Sequence, residues 1–209
     1  MKGLQEFYLA PILRITVYVR LLSWLKANSP HDNPDRQDVT SALNQFKQVD
    51  TVIRQTRSRI QRDRKLVSIS KMIEGCPQLL EANRIFILRQ DFFLMVAQQR
   101  GSGGSAHDSR IYLHVEDIGL FLFNDALMFS HILTGHHAFE RSKAKTYLFK
   151  CSVALVGLKV KDLPDTRYMR NAFKLSYDED EWILSTNSHE EKFEFVNSLE
   201  SAIKTAIQD

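Results

Sequence analysis

Apolar residues in the first third of the chain recur at spacings of three to five, which predicts two amphipathic helices. In the first helix, over residues 4–26, they are Leu4, Phe7, Ile12, Ile15, Val19, Leu22 and Leu25. In the second helix they are Val39, Leu43, Phe46, Val49, Ile53 and Ile60. Two prolines within residues 28–34 end the first helix, and Asp35 or Asp38 can cap the second. We therefore expect a helical N-terminal part, residues 1–65.

Short apolar segments separated by turn residues dominate the chain after residue 85. They predict strands, among them residues 112–115, 118–123 and 154–160. Ser188 and Glu191 have the spacing of a capping box, which predicts a final amphipathic helix. The predicted fold class is α+β, with a helical part followed by a seven-stranded antiparallel barrel or sandwich that the C-terminal helix caps. The barrel part spans residues 85–209, and residues 66–84 connect it to the helices.

A glycine- and serine-rich run, Gly101-Ser102-Gly103-Gly104-Ser105, lies between two of the predicted strands. Its composition resembles an engineered flexible linker. A natural Gly/Ser loop is the alternative interpretation. Both interpretations predict an irregular loop at this position.

Composition and charge are those of an ordinary globular protein. The 209 residues are 44% hydrophobic with a net charge of +3, and this weak basic surplus does not indicate a nucleic-acid partner. The basic run over residues 54–65 is interpreted as a solvated helix face, with a membrane-proximal or partner-binding patch as the alternative. Cys76 and Cys151 form no metal motif and no disulfide framework, so we expect reduced thiols and a cytoplasmic protein, with peripheral membrane contact as a further option. Charged residues within the apolar stretch 8–25 argue against a membrane span.

Residues in the two predicted helices and in several predicted strands match the motifs of a known family. The matching positions in the first helix are Leu4, Phe7, Pro11, Ile12, Arg14, Ile15, Tyr18, Leu21, Leu22 and Leu25, and those in the second are Ala42, Phe46, Val49 and Ile53. They resemble the last third of a Dbl-homology (DH) domain. The segments FLFND, YLFK and NAFKL resemble strands of a pleckstrin-homology (PH) domain, and residues 75–84 resemble the epithelial-cell-transforming subfamily. A DH domain followed by a PH domain is the arrangement of Rho guanine-nucleotide exchange factors.

The resemblance implies a parent protein that exchanges nucleotide on Rho-family small GTPases. In the family, a glutamate of the first conserved DH block engages switch I, but the resemblance here covers only the last third of that domain. The two switch II contacts of the family fall on Val17 and Arg54. Val17 cannot donate a hydrogen bond and Arg54 reverses the expected polarity, so no residue is assigned a catalytic role. We expect this chain alone to be inactive in exchange.

Cations that could bind a phosphoinositide are sparse. PH domains that bind these lipids resemble one another in a K-x(n)-[KR]-x-R pattern, where several cations converge on a phosphorylated head group. Here the loop region between the first two strands offers Arg89, Arg100 and Arg110, and Lys159, Lys161 and Arg167 would add weak attraction. We therefore expect weak binding to anionic phospholipid without selectivity between head groups.

The remaining expectations concern partners and function. No cofactor and no metal site is expected, because His136-His137 lacks further ligands at a suitable spacing. Apolar helix faces that normally pack inside a DH domain also predict self-association. The function expected is the DH–PH region of an exchange factor, with the PH domain as a scaffold, regulatory, or membrane- or protein-interaction module. The alternative is a non-catalytic PH-type adaptor that binds protein or anionic lipid.

Overall fold

The structure, a computed structural model, describes residues 4–81, 83–98, 111–134, 145–166 and 169–208. The chain divides into two compact units, Met1–Asp63 and Arg64–Asp209, which we call the helical unit and the barrel unit. The division falls two residues before the predicted end of the helical part. Gly101–Ser105, Arg100, Arg110, Arg167 and His136-His137 lie outside the described residues.

Two helices, α1 (Leu4–Asn28) and α2 (Arg36–Ser70), follow the predicted pattern. The proline-containing turn between them is closed by the amide of Asp35, which donates to Oδ1 of Asn33 at 2.9 Å. Asp35 immediately precedes α2, and its carbonyl accepts the amide of Val39 at 3.0 Å. Asp38 lies in the first turn of α2, where its negative carboxylate interacts favourably with the partial positive charge of the helix N-terminus.

Eight strands of the barrel unit form one sheet in the order β1-β5-β4-β3-β2-β8-β7-β6. The strands are β1 (Ile73–Glu74), β2 (Phe86–Gln98), β3 (Ile111–Phe123), β4 (Ala126–Thr134), β5 (Lys145–Ala154), β6 (Lys159–Asp162), β7 (Ala172–Tyr177) and β8 (Asp180–Ser185). Strands β2 to β8 pair antiparallel, whereas β1 pairs parallel with β5. The helix α3 (His189–Gln208) ends the barrel unit. The predicted α+β class, with helices followed by an antiparallel sheet and a closing helix, is confirmed.

Two predicted strand boundaries differ from the structure. Residues 112–115 and 118–123 belong to the single strand β3, because a register shift opposite Leu94 absorbs one extra residue without ending the ladder. Residues 154–160 were predicted as one strand, but β5 ends and β6 begins within them. The break is at Gly157, whose φ of 94° is a conformation that glycine adopts readily and other residues adopt only at an energetic cost.

The inner core lies on the concave side of the sheet and is closed by α3. Its buried members come from the sheet, the β5–β6 turn and α3: Phe92, Ile118, Leu120, Leu122, Leu127, Phe129, Val153, Leu155, Leu158, Phe173, Leu175, Leu184, Phe195, Leu199 and Ala202. Phe195 of α3 meets Phe92 edge-on at 4.8 Å between ring centroids. The hydroxyl of Ser188 accepts the amide of Glu191 at 3.4 Å, which forms one half of the predicted capping box.

An outer core covers the opposite face of β3, β4 and β5. It combines the end of α2, β1 and the connector with the sheet, and its buried members are Leu66, Ile69, Ile73, Leu79, Phe121, Phe123, Met128 and Tyr147. Residues 118–123 are therefore an uninterrupted apolar run, because alternate side chains enter the inner and the outer core.

Candidate functional site

Exposed apolar side chains concentrate on the helical unit. On α1 they are Leu9, Ile12, Leu13, Val17, Tyr18, Leu21, Trp24 and Leu25, and on α2 they are Val49, Val52 and Ile60. We call these residues the exposed helical face. Single exposed apolar residues are ordinary, but a concentration of them marks a surface that another protein segment covers. A cavity of about 220 Å³ lies beside this face, lined by Tyr18, Leu21, Leu22, Leu25 and Phe46.

The two positions aligned with switch II contacts lie near one contact between α1 and α2. Thr16 donates its hydroxyl to Oδ1 of Asp50 at 2.8 Å, and Nε of Arg54 donates to Oδ2 of the same carboxylate at 2.8 Å. Val17 adjoins Thr16 and is partly exposed, whereas Arg54 follows Asp50 by one helical turn and is largely exposed. Arg54 thus forms an ion pair within its own helix. The sequence analysis did not identify Asp50 as its partner.

The predicted lipid-binding residues are not brought together among the described residues. Arg89 lies in the first half of β2, nine residues before the strand ends at Gln98, which is roughly 30 Å along an extended strand. Its guanidinium lies over the ring of Tyr147, 5.2 Å from the centroid. Lys159 and Lys161 belong to β6, an edge strand three places from β2 in the sheet.

An acidic turn lies at the end of the barrel toward which β2 runs. Asp178 and Glu179 form the tip between β7 and β8. Because β8 is antiparallel to β2, with Met95 opposite Ile183, the start of β8 points toward the end of β2. The carboxylates of this turn therefore disfavour anions near the end of β2.

The connector is fastened to the barrel by the turn between β3 and β4. Arg84 forms a fork with Asp125, with Nε 3.0 Å from both carboxylate oxygens. This hydrogen bond raises the pKa of Arg84 above its ordinary value, against the opposing effect of burial. The side chain of Asn124 accepts the amide of Ile85 at 2.6 Å and donates to the carbonyl of Asn83 at 3.1 Å. Asn124 and Asp125, which lie in the turn between β3 and β4, therefore also hold the connector.

Tyr147 occupies a close-packed position between sheet and connector. Its hydroxyl donates to Asp91 at 3.1 Å, and its ring meets Phe121 edge-on at 5.3 Å. The ring lies so close to Gly119 that a Cβ there would fall 2.6 Å from it. Glycine at this position is required by the neighbouring ring, since its backbone is ordinary strand.

Among the residues that the structure describes, no group of three or more His, Cys, Asp or Glu could hold a metal ion. None of the described helices has the length and hydropathy that crossing a membrane requires. Burial raises the pKa of both free thiols, those of Cys76 and Cys151, above the ordinary value.

Residues 86–202 match the model of the SOS1/NGEF-like PH domain family. Similar curated proteins include human Protein ECT2, 24% identical over 182 residues, which cover 83% of this chain and 19% of that protein. They also include human FYVE, RhoGEF and PH domain-containing protein 6, 24% identical over 202 residues, which cover 97% of this chain and 12% of that protein. The chain thus spans a fifth or less of the length of these relatives.

Solved structures share the fold over nearly the whole chain. The apo structure of an activated truncation of Vav1 matches with a TM-score of 0.64 at 18% identity, covering 97% of this chain and 47% of that one. The linker-DH/PH domains of p115-RhoGEF match with a TM-score of 0.58 at 12% identity, covering 98% of this chain and 57% of that one. The predicted resemblance to a Dbl-family DH remnant followed by a PH domain is confirmed at the level of fold.

Proposed function

Because this chain belongs to the SOS1/NGEF-like PH domain family, we propose that it is the DH–PH junction of a Rho-family guanine-nucleotide exchange factor. In this proposal the barrel unit is a scaffold that fixes the end of the last DH helix. The names of the relatives support it, since one is called a RhoGEF and PH domain-containing protein and another match is the DH/PH segment of p115-RhoGEF.

The observation that carries the proposal is the outer core. Leu66 and Ile69, in the last turns of α2, are nearly fully buried there together with Ile73 and Leu79 of the connector. Burial of several such side chains stabilises the junction by about 1.5–3 kcal/mol each. A PH domain that acted only as an independent lipid reader would not need the end of a preceding helix in its core.

The test is nucleotide exchange by the longer parent protein. With a panel of Rho, Rac and Cdc42-type GTPases, we expect Leu66→Asp to lower the exchange rate at least tenfold, because a buried carboxylate disrupts the outer core. Leu80→Asp is the matched control, since Leu80 lies in the same connector but is about half exposed. An unchanged rate in a folded Leu66→Asp protein would contradict the scaffold role.

The chain by itself is expected not to accelerate nucleotide release. The described helical part consists of α1 and α2, in which Val17 cannot donate a hydrogen bond and Arg54 reverses the polarity of the family contact. Fluorescent-nucleotide release, measured with and without the chain at micromolar concentration, checks this. Clear acceleration by the chain would show that these two helices suffice for exchange.

The alternative function is a non-catalytic adaptor, in which the exposed helical face binds other protein segments. This face is also the source of the expected self-association. Sedimentation velocity over a range of concentrations should show association that Leu13→Lys together with Trp24→Lys abolishes, because both side chains are more than half exposed. A parent protein that exchanges nucleotide on no GTPase of the panel would favour the adaptor.

A further inference from the structure

The first half of strand β2 has an unpaired edge on the side of β8. β2 pairs with β3 along its whole length, but among the described residues it pairs with β8 only over residues 93–95. Residues 86–92 therefore have no strand partner on that side within the described part of the chain. The backbone N–H and C=O groups of such an edge are a template for another extended segment.

Two cavities border both β2 and α3. The first, of about 320 Å³, is lined by Arg89, Gln90, Asp91, Phe92, Phe93, Asp117, Ile132, Thr186, Asn187 and Glu191. The second, of about 440 Å³, is lined by Ile87, Asn124, Asn197, Ser198, Ser201, Ala202 and Thr205. We call them the acidic cavity and the neutral cavity. Although α3 packs on β2, it therefore leaves room for further side chains beside this strand.

Strand alternation directs two carboxylates into the acidic cavity. Phe92 of β2 belongs to the inner core, so Asp91 and Phe93 on either side of it face the outer side of the sheet. Asp117 of β3 lies opposite Phe93 and faces the same way. Nε2 of His114 lies 2.9 Å from Oδ1 of Asp117, and the Asp117 side chain is still about half exposed. Its carboxylate is therefore held in place and accessible to a ligand.

The start of α3 contributes a third carboxylate. The buried hydroxyl of Thr186 donates to Oε2 of Glu191 at 2.7 Å, which fixes that carboxylate at the cavity wall. Arg89 is the one cation among the described lining residues. Three carboxylates against one guanidinium favour a positively charged group in this cavity. Phe93 and Ile132 add apolar walls, along which the aliphatic stem of a lysine or arginine can lie.

The neutral cavity has no charged side chain among its described lining residues. Ile87 is the extra residue of a bulge, because Phe86 is opposite Phe123 whereas Leu88 is opposite Leu122. Its side chain is 38% exposed and forms the β2 wall of the cavity. The α3 wall consists of small side chains, so an uncharged side chain fits between the two walls.

We propose that the unpaired edge of β2 binds an extended peptide segment of a partner protein, which places a basic side chain in the acidic cavity. An uncharged side chain of the same segment lies in the neutral cavity. In strand addition of this kind, main-chain hydrogen bonds supply affinity and side-chain pockets supply selectivity. The unpaired edge selects an extended segment, and the charge of the acidic cavity selects a basic residue. This inference does not depend on whether the parent exchanges nucleotide.

Three heptapeptides with blocked termini test the proposal on the full chain. Each alternates threonine and valine, and its central residue is arginine, norleucine or glutamate. In calorimetric titrations, we expect the arginine peptide to bind at least tenfold more tightly than the glutamate peptide, with the norleucine peptide between them. Equal affinity for all three peptides, or no binding of the arginine peptide, would overturn the proposal.

Asp117→Asn tests the acidic cavity, because it removes one carboxylate and keeps the shape of the side chain. We expect it to reduce the preference for arginine over glutamate about fivefold. Asp178→Asn is the matched control, since Asp178 lines neither cavity and asparagine tolerates its φ of 53°. An equal reduction in both variants would mean that bulk charge sets the preference, and the cavity would then have no role.

Backbone N-methylation of the arginine peptide tests strand addition itself. Alternate N–H groups of a strand point to opposite edges, so only one set of them can donate to β2. Methylation of that set, either the odd or the even residues, should abolish binding, whereas methylation of the other set should change the affinity less than threefold. Equal behaviour of the two methylated peptides would show that the peptide does not add as a strand.

Discussion

The two units use apolar residues in opposite ways. The barrel unit has an inner and an outer core on the two faces of one sheet, and residues 118–123 are almost completely buried. Among the described residues, few apolar side chains of the helical unit are fully buried, and Leu43 is one of them. The predicted stripe of each helix in the helical unit is mostly half-buried or buried, as at Ile15 and Leu43, while further apolar residues such as Trp24 face outward beside it. Periodicity thus identifies one contact face of a helix, and apolar residues outside that face can belong to a contact with another part of a protein.

The largest expected contrast is between aromatic truncations in the two units. Phe195→Ala should cost about 3–5 kcal/mol of unfolding free energy, because Phe195 is buried against Phe92. Trp24→Ala should change stability by no more than about 0.5 kcal/mol, because Trp24 is 66% exposed. Trp182 is the other tryptophan, so its fluorescence in the Trp24→Ala background reports denaturant unfolding of the barrel unit. Comparable losses for the two truncations would remove the contrast.

A smaller loss of unfolding free energy is expected at Gly119 of the barrel unit, where there is no space for a side chain. Gly119→Ala should cost about 1–3 kcal/mol, because the new methyl group overlaps the ring of Tyr147. The thermal midpoint, compared in the natural and Tyr147→Leu backgrounds, checks the cause. If the loss is as large with leucine at 147, the clash with the ring is not its source.

The ion pairs of Glu116 with His131 and Lys150 should contribute a pH-dependent increment of about 1 kcal/mol or less. The pKa of Glu116 is lowered in the folded chain, so its stabilisation is present above the ordinary carboxyl pKa and is lost as the pH falls through the depressed value. The difference in unfolding free energy between the natural chain and Glu116→Gln should therefore be largest near neutral pH and shrink in acid. A difference that stays constant down to low pH would contradict the ion-pair origin.

The smallest effects are expected from polar contacts of the helical unit. Arg54→Ala should cost about 0.5 kcal/mol or less, since an exposed pair spaced by four residues on a helix contributes little. Asp50→Ala should cost more, because it also removes the acceptor of the Thr16 hydroxyl from the other helix. Helix content followed during thermal unfolding measures both, and the reverse order would mean that the Thr16 contact is negligible.

Local rules predicted much of the fold. The proline-rich turn before α2, the antiparallel strands and the capped start of α3 each depend on residues close in sequence, which a single sequence displays. The break at Gly157 was missed because the apolar residues around it continue into the inner core. The outer core was missed because the apolar residues of the connector carry no periodicity that points to a sheet face.

The candidate site residues were assigned by alignment with the family, so the sequence predicted their positions but not their contacts. Val17 and Arg54 were placed by alignment, yet Asp50, four residues before Arg54, carries the spacing of a helical ion pair and could have been recognised. The contacts of Glu116 with His131 and Lys150 could not be recognised, because Lys150 is the extra residue of a bulge that the sequence does not show. Arg89 was assigned to a loop, whereas a long β2 carries it far from the loop end of the strand.

The fastening of the connector by Asn124 and Asp125 has a kinetic consequence. Arg84 and Asp125 are 41 positions apart, so we expect their fork, which closes a large loop, to form after the β3–β4 hairpin, which closes a much shorter one. The last turns of α2 would then reach their native environment late in folding, behind the transition state. Substitutions at Leu66 or Ile69 should chiefly speed unfolding and leave the refolding rate nearly unchanged. The junction would thus be the first part of the barrel unit to open and the last to close.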